Sequence, residues 1–492
     1  ADQGNPTRLN GKGGTMNEDK RNPGSKTITI DSKLADRIQE EIDQNVYLCY
    51  QCVKCTSGCP VSDFFDWQPN QIMRALQLGE EDIALRSKTP WLCASCLTCT
   101  TRCPQGLDIT AVMEFLTREV LERDLEPQVP VTDHFNKAFM REVNIWGRSY
   151  EPGLMAEMIL RNPRSAVEDI ALYLKFFQKG KVDLIPHPSR MPSKRSVKAD
   201  PVEAKKVAYY PGCSLESTAS EYNRSTEEVC HALGMELSEP KGWVCCGSSA
   251  AHRADPTAAL HLPLENLSLM ERIGYQEVTM PCAACYNRHK AAQHEIHHHP
   301  DKAREMAELM DYDYQDSVHV STLVEAIFHH VGPQTVKDKV VKPLDGLHVV
   351  CYYGCLLTRP PEVTHAPHPE NPTDMDQLME ALGAEVHDWS YKTTCCGAGH
   401  SLTRPDIVIE LSGKLVEEAR RAGAEAVAVA CPLCHLNLDA RQFQMDVPEP
   451  LPILYFTQLM AVALDLPPKS AALHKNVVDP RPLLVEKGLW GK

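Results

Sequence analysis

Residues 242–249 read GWVCCGSS and residues 393–400 read TTCCGAGH, two copies of a cysteine pair followed by glycine. Neighbouring side chains on an extended backbone point to opposite faces. Cys245 and Cys246, or Cys395 and Cys396, therefore cannot close on a single ion as a Cys-x-x-Cys turn does, and a disulfide between neighbours is a strained small ring. Three more cysteines flank each pair at closely similar intervals. Cys213 stands ahead of the first pair, with Cys282 and Cys285 beyond it. Cys355 stands ahead of the second, with Cys431 and Cys434 beyond. Five thiolates suit a centre of several irons better than a zinc ion, which closes its shell at four. Gly247 and Gly397 follow the pairs where the backbone needs a positive φ or must come close to a cofactor.

Eight further cysteines form two runs, CYQCVKCTSGCP at 49–60 and CASCLTCTTRCP at 93–104. Each is Cys-x2-Cys-x2-Cys-x3-Cys-Pro, the bacterial ferredoxin pattern for two [4Fe–4S] clusters, in which the fourth cysteine of one run ligates the cluster of the other. That assigns Cys49, Cys52, Cys55 and Cys103 to one cluster and Cys93, Cys96, Cys99 and Cys59 to the second. Pro60 and Pro104 turn the chain away after the last ligand. Two zinc sites are the bland alternative, but zinc takes isolated pairs rather than a four-fold run ending in proline. Cys230 and Cys351 complete the 20 cysteines and read as small buried hydrophobes.

The elements that must position these thiols follow from periodicity. PNQIMRALQLGEEDIAL at 69–85 and ITAVMEFLTREVLERD at 109–124 have helical spacing, as do EPGLMAEMILRN and AVEDIALYLKFFQ before 180. A proline-rich, basic stretch at 185–201 marks a linker. Beyond it the chain repeats: VAYYPGC ends at Cys213 as VVCYYGC ends at Cys355, each a buried strand delivering a cysteine. Strand, helix, short strand, Cys-Cys-Gly, helix, strand and helix then follow in both copies, an α/β layout whose ligands collect at strand ends. The expected organisation is α+β multidomain: an N-terminal extension over 1–40, a helical two-[4Fe–4S] ferredoxin module over 41–184, a linker over 185–204, and duplicated α/β domains over 205–340 and 341–492.

Composition narrows the function. The 492 residues carry 66 acidic and 51 basic side chains, a net charge of -15, with no basic cluster to follow a phosphate backbone, which argues against nucleic acid as a partner. The most apolar stretch, LPILYFTQLMAVAL at 451–464, is too short for a bilayer span and reads as a buried core helix. No export signal opens the chain, which places the expected location in the cytoplasm and points the cysteines to metals rather than disulfides.

At these residues the chain resembles the heterodisulfide reductase family. A cysteine, a distant Cys-Cys-Gly pair and a closing Cys-x-x-Cys mark its B subunit, and the ferredoxin module ahead resembles its C subunit, so the chain looks like a fusion of the two. The second motif departs by one position in its last gap, with no cysteine missing. The resemblance implies two noncubane [4Fe–4S] clusters, one on Cys213, Cys245, Cys246, Cys282 and Cys285 and one on Cys355, Cys395, Cys396, Cys431 and Cys434. With two cubane clusters, that makes four. It further implies an oxidoreductase acting on disulfides, an S–S bond being split between two equivalent clusters because it needs two electrons. Implied partners are a flavin-containing A-subunit-like protein in an electron-bifurcating or confurcating complex, a hydrogenase or dehydrogenase input module, and a hetero-oligomeric assembly, often dimeric. The alternative is an electron relay in a respiratory or quinone-linked complex that cleaves no disulfide. Thiolate products need protons, and His252 and His400, which follow the two pairs, are the candidate donors. The run HEIHHHP at 294–300 reads as a solvated helix end.

Overall fold

The computed structural model describes residues 33–161, 163–183, 185–189 and 206–491. The N-terminal extension up to residue 32 and most of the expected linker, 190–205, lie outside the described residues.

Three helices frame the ferredoxin loops: α1 (Lys33–Ile42), α2 (Pro69–Leu78) and α3 (Ile109–Glu122). Helix α1 begins ahead of the expected module start, and its Leu34, Ala35 and Ile38 are buried with Val112, Phe115 and Leu116 of α3 in one core. The single helix expected over 69–85 is divided. Gly79, at φ 73, makes the left-handed turn that ends α2, and a short second piece, Glu81–Leu85, follows. Asp108 caps α3, its carboxylate accepting from the Ala111 amide at 2.9 Å.

Three more helices, α4 (Pro130–Trp146), α5 (Glu151–Arg161) and α6 (Pro163–Gln178), leave this module and lie against the cysteine-rich half. Phe139 and Val143 of α4 and Leu154 of α5 share a core with Cys245 and Ala251. Asp169 of α6 pairs with the buried Arg441 guanidinium at 3.0 Å. At the end of α4, Gly147 has φ 73 and its carbonyl accepts from the Cys245 amide at 2.8 Å. A Cβ there would meet the Ser189 carbonyl oxygen at 2.0 Å, so the close approach that holds Cys245 requires glycine.

The rest is two copies of one parallel sheet. Strands β1 (Val207–Tyr209), β2 (Leu237–Ser238), β3 (Glu277–Met280) and β4 (His319–Thr322) lie in the order β2-β1-β3-β4. Strands β5 (His348–Tyr352), β6 (Glu385–Val386), β7 (Ala426–Val429) and β8 (Ile453–Tyr455) lie in the matching order β6-β5-β7-β8. Ala208 stands opposite Val278, and Val350 opposite Val427. Helices cover both faces, which is why β7 is a wholly buried run rather than an alternating one. The principal covers are α7 (Ser220–Leu233), α8 (Pro256–Ile273), α9 (Ala283–His298) and α10 (Leu323–His330), then α11 (Asp374–Ala381), α12 (Pro405–Arg421), α13 (Pro432–Ala440) and α14 (Phe456–Ala463). The core helix expected over 451–464 is a correction. Ile453–Tyr455 pairs with β7 as a strand, and α14 starts only at Phe456, where the Gln458 side chain accepts from the Tyr455 amide at 3.0 Å. A short apolar run serves either state, and the free edge of β7 decides it.

Candidate functional site

The order of each sheet places a topological switch point between its first and third strands, β1 and β3 or β5 and β7, and the cysteines collect at that end. Cys213 and Cys355 follow β1 and β5. The Cys-Cys pairs follow β2 and β6. Cys282 and Cys431 leave β3 and β7 and start helices that carry Cys285 and Cys434 one turn on. Each set therefore closes on itself: Cys246 and Cys285 sulfurs stand 3.5 Å apart and Cys396 and Cys434 sulfurs 3.7 Å apart. Cys245 has Cys213 as its neighbour, and Cys395 has Cys355. The Cys246 thiol is pulled well below its ordinary value, first by the Cys245 hydrogen bond and next by that of Cys285.

One tyrosine in each copy holds the approach to the pair. Tyr210 Oη donates to the Val244 carbonyl at 2.7 Å, and Tyr352 Oη donates to the Thr394 carbonyl at 2.6 Å, in each case the residue just before the first paired cysteine. Gly247 and Gly397 have the positive φ expected of them, 81 and 79. What a Cβ would meet there is the following helix, Ala251 at 2.6 Å or Leu411 at 3.2 Å, rather than a sulfur. The glycines that stand against sulfur are Gly212, with Cys285 Sγ at 3.0 Å from the Cβ position, and Gly354, with Cys434 Sγ at 2.9 Å. Their signal was present in the sequence as the glycine directly before each first cysteine. Gly354→Ala, strained at φ 74 and crowding Cys434, is expected to strip iron from the second five-cysteine set while leaving the ferredoxin sites loaded. Iron per chain with electron paramagnetic resonance checks this, and unchanged iron refutes it.

The ferredoxin loops carry a different mark. Gln51 and Val53, on either side of Cys52, have φ 62 and 66; Ser95 and Leu97, on either side of Cys96, have φ 48 and 59. A β-branched or bulky residue in this region is strained, and finding the strain at the same two positions of both loops fits a backbone wrapped around a cluster. Burial, followed by the charges of Cys96 and Cys93, raises the Cys59 thiol, so Cys59 stands with the other run; Tyr50 has Cys52 and Cys103 as its charged neighbours. Cys230 and Cys351 are fully buried apart from every set.

Three of the four groups follow one another: Cys96 of the ferredoxin module neighbours Cys395, and Cys282 neighbours Cys431 across the two α/β domains. Arg359, 1% exposed, donates to Thr98 Oγ1 at 2.9 Å and to the Thr393 carbonyl at 2.7 Å, tying a ferredoxin loop to the second Cys-Cys loop. At the other seam the buried Arg253 donates to the Cys93 carbonyl and to Ser95 Oγ. The donor set, the strained loops and the glycines pressed on sulfur all fit iron–sulfur clusters.

A cavity of about 160 Å3 lies where α4–α6 meet both α/β domains. Its floor is the first five-cysteine set. Phe139, Leu154, Leu172 and Phe176 wall it on one side and Leu402, Leu433 and Leu436 on the other. The second set does not line it, but Ala398 and Gly399, just past Cys396, do. His252 and His400 do not line it either. His252 Nδ1 lies 2.8 Å from Glu114 of α3, and His400 Nε2 donates to the Leu92 carbonyl at 2.9 Å. Both face the ferredoxin module. His289 and His435 are buried on backbone carbonyls, Cys285 at 2.7 Å and Ile453 at 3.1 Å.

Comparison with known proteins matches these regions. The cysteine-rich domain family matches residues 207–288 and 349–439, and the 4Fe-4S dicluster domain family matches 48–108. The chain is 31% identical over 282 residues to the 8-methylmenaquinol:fumarate reductase membrane anchor subunit of Wolinella succinogenes, covering 56% of this chain and 98% of that one. It is 25% identical over 284 residues to the B subunit of the ferredoxin:CoB-CoM heterodisulfide reductase of Methanosarcina mazei, covering 56% and 94%. It is 26% identical over 302 residues to a protein of Archaeoglobus profundus that is likened to the B subunit of heterodisulfide reductase, covering 58% and 99%. A solved structure of a hypothetical protein from Helicobacter pylori shares the fold, with TM-score 0.52 at 10% identity over 91% of this chain and 79% of that one.

Proposed function

The chain belongs to the heterodisulfide reductase family, with a ferredoxin module joined to two cysteine-rich domains, and on that premise we propose that it is the disulfide-cleaving component of a larger redox complex. The observation that carries this reading is the meeting of two complete five-cysteine sets at the Cys282–Cys431 contact, with a cavity beside it. The ferredoxin cysteines would hold two cubane [4Fe–4S] clusters and the two five-cysteine sets two noncubane ones; bound there, they supply single electrons, and two together supply the pair that an S–S bond needs. The chain's own part is to exclude water with the leucine and phenylalanine walls, to seat a substrate against Cys213, Cys245 and Cys282, and to lock the ligand loops through Arg359 and Arg253. His252 and His400, turned toward the ferredoxin module, would not deliver protons directly to the cavity. Ser248, Ser249, Ser401 and Asn437 are polar groups that line it.

Electrons would enter at the other end. Cys52 is exposed, and Tyr47, Leu48, Tyr50 and Val53 around it are between 43% and 59% exposed, an apolar rim that supports docking of a separate electron donor. A flavin-containing A-subunit-like protein within a bifurcating complex fits that role. Among the described residues no helix is long and apolar enough to cross a membrane.

A second reading, a quinone-linked relay, is favoured by one surface. On α6, Ile170, Leu174 and Phe177 are each more than half exposed, while Leu172 and Phe176 on the same helix wall the cavity. The Wolinella succinogenes relative is named as a membrane anchor in menaquinol chemistry. Anaerobically purified protein separates the readings from the zinc alternative and from each other. Four clusters correspond to about 16 irons per chain, and eight would sink the five-cysteine assignment. Reduction of a disulfide by the viologen-reduced protein supports the first reading, whereas sedimentation with phospholipid vesicles together with quinone reduction alone supports the second.

A further inference from the structure

We propose that Arg253, carried by the first α/β domain, is the counter-cation of the inner ferredoxin cluster, the one on Cys93, Cys96, Cys99 and Cys59, and raises its reduction potential. This rests on the two cubane clusters alone and goes beyond the disulfide-cleaving reading.

A buried cation needs an anion, and the protein places none against Arg253. The residue belongs to the short turn Ala251–Ala254, just past the first Cys-Cys-Gly, and is 6% exposed. Its guanidinium donates to the Cys93 carbonyl and, at 3.1 Å, to Ser95 Oγ, both uncharged, while its Nε has no partner. Among the described residues no carboxylate stands within ion-pair distance of it. The carboxylate that comes nearest to this loop, Glu114, accepts from Ser95 Oγ at 3.0 Å and lies 2.8 Å from His252 Nδ1. Arg118 and Arg288 also act on Glu114, so three guanidinium groups meet one carboxylate and a positive charge is left over. A cluster held by thiolates is the anion that fits. Arg253 already acts in that sense, as the leading influence that favours the Cys93 thiolate against burial.

The other cations near the ferredoxin loops are neutralised or wet. Arg359 reaches Thr98 but is paired with Glu370 at 3.0 Å. Beside the outer cluster, on Cys49, Cys52, Cys55 and Cys103, Lys54 and Arg102 are exposed, where water and salt screen them. Reduction adds one electron to an already anionic centre, with no bond made or broken. Burial opposes that step by keeping the added charge from water, and a fixed cation in the same low-dielectric seam favours it. Arg253 thus offsets burial at the cluster whose Cys96 neighbours Cys395, the next group inward.

The test is a dithionite titration of the full, iron-loaded chain at pH 8, followed by electron paramagnetic resonance. Cys52→Ala identifies the outer cluster by removing its signal. Arg253→Gln keeps a donor for the Cys93 carbonyl but not the charge, and Arg253→Lys keeps both. Arg253→Gln is expected to shift electron sharing between the two clusters about tenfold or more toward the outer one, which is about 59 mV for one electron. Arg253→Lys is expected to retain most of the wild-type potential. Glu114→Gln, which removes the opposing charge, is expected to shift the sharing inward. An unchanged inner potential in Arg253→Gln, or an equal fall in the glutamine and lysine variants, overturns the inference. Should Arg253→Gln lose the inner iron, Glu114→Gln decides: an inward shift supports the charge role and no shift overturns it. Failure of the wild-type chain to show two cubane signals would instead sink the ferredoxin assignment itself.

Discussion

Between pH 6.5 and about 4 the chain is expected to lose about 3 kcal/mol of stability through His400 alone, and a His400→Gln variant is expected to be spared most of that loss. The ring is fully buried between the second Cys-Cys loop and the ferredoxin module. Burial, followed by the nearby Arg253 charge, lowers its pKa from 6.5 to about 4. Above pH 6.5 the ring is neutral in both folded and unfolded chains and costs nothing. As pH falls below 6.5 the unfolded chain takes up a proton that the folded one refuses until about 4, so the balance moves toward unfolding across that window. A glutamine amide keeps a donor for the Leu92 carbonyl and carries no titrating group. Denaturant midpoints of both proteins at pH 7.5 and 4.5 measure the difference. Equal losses in the two would show that His400 does not carry the acid sensitivity.

Arg359→Met is expected to destabilise the chain by about 3 kcal/mol and to loosen two ligand loops at once. The guanidinium donates to Thr98 Oγ1, to the Thr393 carbonyl and hydroxyl, and to both oxygens of Glu370. Thr98 lies between Cys96 and Cys99, and Thr393 stands just ahead of the pair that opens at Cys395. Removal leaves buried acceptors on both loops without a donor, each costing about 1–3 kcal/mol. Glu370 is 41% exposed and finds water, which holds the total below that of a fully buried broken pair. Lysine is not an adequate replacement, since one ammonium cannot span a planar fork of five donors. A lower melting temperature with iron lost from both the ferredoxin module and the second domain is the expected result. Loss of stability with iron retained in full would mean that the loops hold their shape without the guanidinium.

The cysteine spacings were enough to divide the candidate ligands into four groups, because a local loop can wrap a cluster only at fixed intervals and those intervals survive in one dimension. The duplication was equally legible, since each strand end repeats the same buried run into a cysteine. Helix α1 was not foreseen and strand β8 was read as helix, the first because its apolar face has meaning only against α3, the second because three apolar residues become a strand only when β7 offers an edge. Gly212 and Gly354 could have been read from their position before the first cysteines. Arg359 and Arg253 could not, as their partners Thr98 and Cys93 belong to the ferredoxin module, far back along the chain.

The Cys-Cys-Gly pairs, the ferredoxin runs and their repeat thus follow from chain order alone, for ligand chemistry is written in short spacings. Which set meets which, with Cys96 at Cys395 and Cys282 at Cys431, and why the cavity falls on the first set under α4–α6, depend on how the ferredoxin module and the two α/β domains pack. Packing is set by surfaces assembled from distant segments, and no local spacing records them.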